Sequence, residues 1–273
     1  MKDKGVYLFF IFIILCILYK ARKQNFTNTQ IKDVLEKIYN NKTKFENHDT
    51  LKQMPGIDCI YCITMPSRKN YMRNILDNFG YNYILFDAIT PGKLTSSDYT
   101  ILVSDKQFIN KKTRLPCQLS FTMCYKHAVK NKYKTIIVFE DDIIINTNNA
   151  KILKGIDQFN NSDYNVFYMG YCELNCKQNF KKNNELVNVP DYSKLYCAHS
   201  ICYKVKYLPS IIENLYPMNN EFDIKLLEIY KKLNYKVCIP DKVYFDQNKD
   251  LGTNNETLNP DGTLLLSPPT CIF

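Results

Sequence analysis

The 273-residue sequence has no tryptophan, only eight glycines and only three histidines. None of the glycines is gathered into a glycine-rich turn, so the phosphate-binding loops of P-loop and dinucleotide-binding proteins are not predicted. So few histidines disfavour metal-dependent phosphoesterases, whose sites gather several His and Asp ligands. The net charge of +9 is not concentrated in one long basic block, so nucleic acid is not predicted as a partner.

Cysteine, in contrast, is abundant, with eleven residues. Cys59 and Cys62 form a CxxC pair, but they lie in an apolar run that predicts a buried strand, where positions i and i+3 point to opposite faces. A shared zinc ion or a disulfide between these two is therefore not predicted. The other close pairs do not have zinc-finger spacing. Disulfides elsewhere remain open, since they would form if the domain faces a lumen.

The chain has one long apolar run, Val6–Tyr19, with basic residues on both sides. At 1.5 Å per residue it would extend about 21 Å, less than the roughly 30 Å hydrocarbon core of a bilayer. A signal peptide, a short signal-anchor and an interfacial helix are the alternatives. No small-residue cleavage site follows the run, which favours an uncleaved single-pass membrane anchor over residues 1–23. Its topology stays open, with a lumen of the endoplasmic reticulum or Golgi type among the compartments considered.

The polar residues 24–55 are interpreted as a stem between the anchor and a globular domain over residues 56–273. The stem contains one set of apolar residues at spacings i, i+3, i+4 and i+7, which predicts a short amphipathic helix. This set comprises Ile31, Val34, Leu35 and Ile38.

From about residue 56 the pattern alternates between strands and helices, which predicts an α/β fold with a mostly parallel sheet flanked by helices. Thr135–Phe139 is a continuous β-branched and aromatic run and predicts a central strand covered on both faces. The other predicted strands are 59–65, 83–86, 165–169, 200–203 and 236–239, and the predicted helices are 69–79, 119–129 and 224–233. In such sheets ligands bind beyond the carboxyl ends of the strands.

Three carboxylates, Glu140, Asp141 and Asp142, stand together where the most hydrophobic strand ends. Clustered acids near an apolar core raise one another's pKa, and a divalent cation relieves the repulsion. Carboxylate oxygens suit Mg²⁺ or Mn²⁺, and such an ion could neutralise a departing diphosphate. The alternative is that an aspartate caps the following turn while the other acids are solvated.

The order of four motifs resembles glycosyltransferase family 25, which includes lipooligosaccharide and procollagen galactosyltransferases. The motifs are ITMPSR at Ile63–Arg68, FDAI at Phe86–Ile89, CQLS at Cys117–Ser120 and VFEDD at Val138–Asp142. The resemblance covers roughly residues 57–250 and implies a GT-A-like, Rossmann-like fold.

Three later segments fit the same family: Val166–Gly170, Phe222–Leu226 and Pro240–Gln247. Four positions depart from it. Pro116 stands where the family usually has a glycine, and Thr64 stands where an asparagine is expected. Phe121 stands where the family has a histidine, and Tyr71 stands where a second arginine is usual. The chain is therefore identified as a divergent member.

The resemblance implies a role for each of six residues. Asp142 would be the main Mn²⁺ ligand, with Glu140 acting through water, and Asp141 would reach the donor's ribose. Arg68 would contact the nucleotide, and Gln247 would lie near the donor. Asp223 would be the catalytic base of an inverting transfer, although an aspartate there also fits a helix N-cap. His199 is interpreted as structural.

The predicted function is Mn²⁺-dependent (or Mg²⁺-dependent) transfer of a hexose, galactose or glucose, from a UDP-sugar to a hydroxyl of a glycan or protein. A catalytically inactive, membrane-tethered carbohydrate-binding or scaffold protein of the same family is the alternative, because Phe121 and Tyr71 depart from the family pattern.

Overall fold

The computed structural model describes residues 13–14, 27–172, 182–183, 186–189 and 195–251. The membrane anchor predicted over residues 1–23 lies, apart from two residues, outside these ranges. Among the residues that are described, no helix is both long enough and apolar enough to cross a membrane.

The described residues form alternating helices and strands. The helices are α1 (residues 27–42), α2 (Lys69–Phe79), α3 (Ser96–Leu102), α4 (Lys106–Asn110), α5 (Arg114–Lys130), α6 (Asn149–Asn160), α7 (Leu208–Leu215) and α8 (Phe222–Lys232). The strands are β1 (Phe45–His48), β2 (Cys59–Thr64), β3 (Tyr83–Asp87), β4 (Thr135–Phe139), β5 (Ile143–Ile145), β6 (Val166–Gly170), β7 (Lys182–Asn183), β8 (Leu186–Val189), β9 (Ser200–Lys204), β10 (Val237–Pro240) and β11 (Phe245–Gln247).

Nine strands form one sheet in the order β1-β3-β2-β4-β9-β6-β10-β8-β7, and β5 pairs with β11 in a separate two-stranded ribbon. Strands β3, β2 and β4 are parallel to one another, and β6 is parallel to β10. Strand β9 lies antiparallel between β4 and β6, so the two parallel groups run in the same direction. The mostly parallel α/β sheet predicted from the sequence is therefore confirmed.

The central strand β4 is buried along its whole length, because apolar clusters cover both faces of the sheet. Alternate residues of β2 enter opposite clusters, with Cys59 on one side of the sheet and Cys62 on the other. Both cysteines are free thiols, as the strand geometry of this CxxC pair predicted.

The segment interpreted as a stem contributes to the folded body. The four apolar residues of α1 (Ile31, Val34, Leu35 and Ile38) are at most 9% exposed and belong to the main hydrophobic cluster. Strand β1 pairs antiparallel with β3 at the edge of the sheet. The interpretation of residues 27–48 as a stem is therefore wrong. They pack on the folded body because burying the apolar face of α1 removes that surface from water.

Four helices (α3, α4, α6 and α7) and five strands (β1, β5, β7, β8 and β11) were not predicted from the sequence. Most boundaries of the predicted elements agree with the structure, and Lys69–Phe79 and Thr135–Phe139 agree to the residue. The largest difference is α5, which begins at Arg114 rather than at Leu119. Pro116 falls within its first turn, where proline is tolerated because the amide hydrogen it lacks would have no helical acceptor. Helix α8 likewise begins at Phe222 rather than at Ile224.

Candidate active site

A cavity of about 200 Å³ opens at the carboxyl ends of β2, β3 and β4. Its wall includes five of the six residues singled out from the sequence, namely Arg68, Glu140, Asp141, Asp142 and Gln247. The parallel register pairs Cys62 of β2 with Phe139 of β4. The segments that follow these two strands therefore lie side by side, which brings Arg68 to the acidic triplet.

Both carboxylate oxygens of Asp141 accept hydrogen bonds from the segment that follows β2. Its Oδ2 accepts a hydrogen bond from the Met65 backbone N–H at 2.6 Å, and its Oδ1 accepts one from Arg68 Nη1 at 2.9 Å. Both side chains of this ion pair are only 11% exposed. Arg68 Nη2 also donates to the Leu251 carbonyl at 3.1 Å. The pair thus joins three segments at one wall of the cavity.

Among the residues that the structure describes, no cation forms an ion pair with Glu140 or Asp142, the other two carboxylates of the triplet. Loss of water raises the pKa of Glu140 well above its usual value, and the nearby charges of Asp142, Asp141 and Asp223 raise it further. Burial, and then the charge of Asp141, raises the pKa of Asp142 to about 6. Asp142 Oδ1 is buried and has no hydrogen-bond partner within the part of the chain that the structure describes.

Gln247 reaches Asp142 through the two-stranded ribbon. The register pairs Gln247 with Ile143, the residue after Asp142, and Gln247 Nε2 donates to Asp142 Oδ2 at 3.4 Å. Tyr71 supports the ribbon, because its hydroxyl donates to the Ile143 carbonyl at 3.0 Å and accepts from Asn248 Nδ2 at 3.2 Å. In this chain the departure at Tyr71 therefore has a structural role.

Gly170, at the end of β6, allows the ribbon to approach the sheet closely. A Cβ atom there would collide with the His199 ring and with the Phe245 carbonyl. His199 itself is fully buried and its Nε2 donates to that carbonyl at 3.1 Å. Burial lowers the pKa of His199 to about 4, so the ring is neutral. These contacts agree with its interpretation as a structural residue.

Asp223 stands apart from the other five predicted residues, since it is not among those that line the cavity. It is the second residue of α8, whose N-cap position is Glu221, so the N-cap interpretation of Asp223 is wrong. Its Oδ2 accepts from the Cys197 N–H at 3.2 Å, and its Oδ1 accepts from the Ile224 N–H at 2.8 Å. Its charge is close enough to contribute to the raised pKa of Glu140.

Helix α5 supplies another part of the cavity wall. Ser120 Oγ accepts from the Ile89 N–H at 2.9 Å and donates to the Pro116 carbonyl at 2.8 Å, so its hydroxyl holds the helix to the segment after β3. Phe121 lines the cavity and packs on Phe222, with ring centroids 4.4 Å apart. The phenylalanine at this departure thus joins α5 to the start of α8, one residue before Asp223.

Sequence reasoning missed a disulfide between Cys172 and Cys197, whose Cα atoms are 5.6 Å apart. Because the chain has eleven cysteines and these two are 25 positions apart, no spacing singled out this pairing. Together with His199, the two sulfurs form the one group of three possible metal ligands lying within 4.8 Å of one another among the described residues. Because the sulfurs are bonded to each other, they are not thiolate ligands in this form.

The chemistry of the acidic site fits a divalent cation. Asp142 presents a buried oxygen that has no hydrogen-bond partner in the described part of the chain, and Glu140 lies two residues before it on the same chain segment. Carboxylate oxygens are the ligands that Mg²⁺ and Mn²⁺ prefer. A cation would offset both the burial of charge and the repulsion between carboxylates, which together raise the pKa values of Glu140 and Asp142.

The structure therefore defines an α/β protein with an acidic cavity at the carboxyl ends of its central strands. The family model described as glycosyltransferase family 25 (LPS biosynthesis protein) matches residues 60–242, about two thirds of the chain. The chain belongs to glycosyltransferase family 25. A search of curated proteins found no match.

Proposed function

We propose that this glycosyltransferase moves a hexose, galactose or glucose, from a UDP-sugar to a hydroxyl of a glycan or protein, with inversion at the anomeric carbon. The observation that carries the proposal is the pair of carboxylates, Glu140 and Asp142, whose pKa values are raised at the end of the central strand. Such a pair suits a cation-bound diphosphate. Family membership supplies the reaction class.

Asp142 and Glu140 would hold Mn²⁺ or Mg²⁺, which when bound neutralises charge on the departing diphosphate. Gln247 donates to Asp142 Oδ2, which leaves Asp142 Oδ1, without a hydrogen-bond partner among the described residues, as the atom that would bind the cation. Arg68 faces the same cavity and would contact the nucleotide, with its charge balanced by Asp141. Asp141 would reach the ribose through the edge of its carboxylate that the Arg68 and Met65 donors leave open.

The remaining step is removal of a proton from the acceptor. As the acceptor oxygen forms its bond to the anomeric carbon, the bond from that carbon to the diphosphate breaks, and the acceptor's proton passes to the Asp223 carboxylate. Two backbone N–H groups, those of Cys197 and Ile224, orient this carboxylate. An acceptor hydroxyl would enter between Asp223 and the acidic pair.

We also propose a GT-A-like fold and a location in an oxidising compartment, with a membrane anchor over residues 1–23. Residues 56–273 would be the catalytic domain, on which α1 and β1 pack. The support for the compartment is the disulfide between Cys172 and Cys197, because such bonds persist in secretory and extracellular environments. The support for the anchor is the apolar run Val6–Tyr19.

A screen of nucleotide sugars with and without Mn²⁺ tests the proposal. We expect one UDP-hexose to raise the melting temperature when Mn²⁺ is present and to be hydrolysed slowly in the absence of an acceptor. Binding of a glycan without hydrolysis of any donor would instead support an inactive carbohydrate-binding protein. If the protein neither binds nor hydrolyses any of the nucleotide sugars, the proposal is contradicted.

A further inference from the structure

The disulfide between Cys172 and Cys197 lies at the same edge of the sheet as the acidic cavity. Cys172 follows the end of β6 by two residues, and Cys197 precedes β9 by three. The Cys172 N–H donates to the Tyr196 carbonyl at 3.1 Å, and the Glu140 N–H donates to the His199 carbonyl at 3.0 Å. The segment that carries the bridge is therefore bonded directly to the backbone of the acidic triplet.

One side of the bridge touches Gln247. The Gln247 Oε1 atom lies 3.1 Å from Cys172 Sγ and 3.8 Å from Cys197 Sγ. Disulfide sulfurs carry no hydrogen, so these are packing contacts. With its oxygen against the bridge, the amide turns Nε2 towards Asp142 Oδ2. The reverse orientation would set the amide oxygen against a carboxylate, which is repulsive.

On the other side of the bridge, the conformation of Cys197 sets the direction of its backbone N–H group. Cys197 has a φ angle of +70°, a left-handed conformation that is costly for a residue with a Cβ and persists where surrounding contacts enforce it. In this conformation the Cys197 N–H points at Asp223 Oδ2, 3.2 Å away. A bond from its sulfur to Cys172 is a direct restraint on this backbone.

We propose that the Cys172–Cys197 disulfide is a positioning element for catalysis, which holds Gln247 against Asp142 and the Cys197 N–H against Asp223. The proposal rests on the proposed function for the roles of Asp142 and Asp223. Both cysteines are partly exposed, so a dithiol reductant has access to the bridge. Reduction transfers two electrons and two protons to the bridge, which becomes two thiols, while dithiothreitol is oxidised to its cyclic disulfide.

The first measurement does not depend on activity. Intact mass after alkylation under non-reducing conditions should show the bridge in protein made in an oxidising compartment. Hydrogen exchange should then show, on adding dithiothreitol, faster exchange in residues 195–199 and 245–248 and unchanged exchange in α2. A protein without the bridge, or unchanged exchange after reduction, would overturn the proposal whether or not any donor is turned over.

The second measurement uses the donor found in the screen. In the variant Cys172→Ser/Cys197→Ser, and in reduced wild-type protein, we expect kcat to fall by about 10- to 100-fold, the scale of a misplaced catalytic group. The KM for the donor should change by less than about threefold.

Cys238→Ala is the matched control, because Cys238 is a buried free thiol on β10. It should keep the wild-type kcat and the full response to dithiothreitol, whereas the double serine variant should no longer respond. If the double variant does not fold, reduced wild-type protein still provides the test. A folded protein without the bridge that keeps the wild-type kcat and KM contradicts this inference and leaves the proposed function standing. A wild-type protein inactive on every donor sinks the proposed function instead.

Discussion

Two acidic clusters at neighbouring strand ends differ in their counter-charges. At the edge of the sheet, Glu46 of β1 and Asp87 of β3 face cations of α2. Lys69 Nζ lies 3.3 Å from Glu46 Oε2 and also pairs with Asp87, while Arg73 pairs with Glu46 Oε1. The hydrogen bond from Arg73 is the largest of several causes that lower the pKa of Glu46 to about 2.

At the end of β4 the pKa shifts have the opposite direction. Arg68 engages Asp141, while Glu140 and Asp142 have raised pKa values. The comparison teaches that acidic residues near a sheet edge are not in themselves a binding site. The edge cluster is ion-paired with Lys69 and Arg73, whereas Glu140 and Asp142 are buried beside other carboxylates, and both conditions raise their pKa values. A cation from solution would complete the second cluster and has no comparable role at the first.

Of the substitutions in the two clusters, Asp142→Asn should have the largest effect, because it removes a carboxylate from the proposed cation site. We expect it to abolish the joint stabilisation by Mn²⁺ and UDP and to lower transfer by at least about 10²-fold, the scale of losing one electrostatic stabiliser. Thermal melts with Mn²⁺ alone, UDP alone and both together measure the first effect, and donor turnover measures the second.

The same variant makes a prediction for the metal-free protein. Because the pKa of Asp142 is raised from 3.8 to about 6, ionisation of this group costs stability as pH rises through that interval. Asp142→Asn removes the cost, so at pH 7 without metal the variant should melt at the same temperature as wild type or higher. A variant that keeps both the Mn²⁺-plus-UDP shift and normal turnover would remove the main support for the cation site.

Asp223→Asn should lower the rate of transfer without weakening the binding of Mn²⁺ and UDP. We expect transfer to fall by about 10²–10⁴-fold, the usual range for loss of a general base. The Mn²⁺-plus-UDP melting shift should remain near that of wild type, because Asp223 does not line the cavity. If transfer falls by less than about threefold, Asp223 is not the base.

Glu46→Gln should have the smallest effect of the three substitutions. Its effect on the stability of the fold should depend on pH in the opposite sense to that of Asp142→Asn, because the pKa of Glu46 is lowered and that of Asp142 is raised. A depressed pKa means that Glu46 stabilises the fold above its ordinary value of 4.5 and loses this contribution as pH falls towards about 2. We expect a loss of about 1 kcal/mol at pH 7, a smaller loss near pH 3, and unchanged transfer. Urea unfolding at both pH values measures the difference. A loss that grows at low pH would contradict the assignment of this cluster as ion-paired.

The two clusters also show how far the candidate site could be predicted. The acidic triplet was identified because three carboxylates follow a continuous apolar strand, and both features are local in sequence. Nothing local distinguished Asp141 from Asp142. The distinction arises because the segment after β2, which supplies Arg68 and the Met65 N–H, is brought beside β4 by parallel pairing. The roles assigned by family resemblance remain predictions.

The sequence by itself determined the α/β alternation, the central strand Thr135–Phe139 and the apolar face of α1, because apolar periodicity acts over a few residues and burial of apolar surface drives folding. Only the tertiary structure decided that α1 packs on the sheet and that Tyr71 holds the ribbon. It alone also joined Cys172 to Cys197 beside Gln247. These contacts link residues tens of positions apart, and their partners are chosen by strand order and register, which no local pattern encodes.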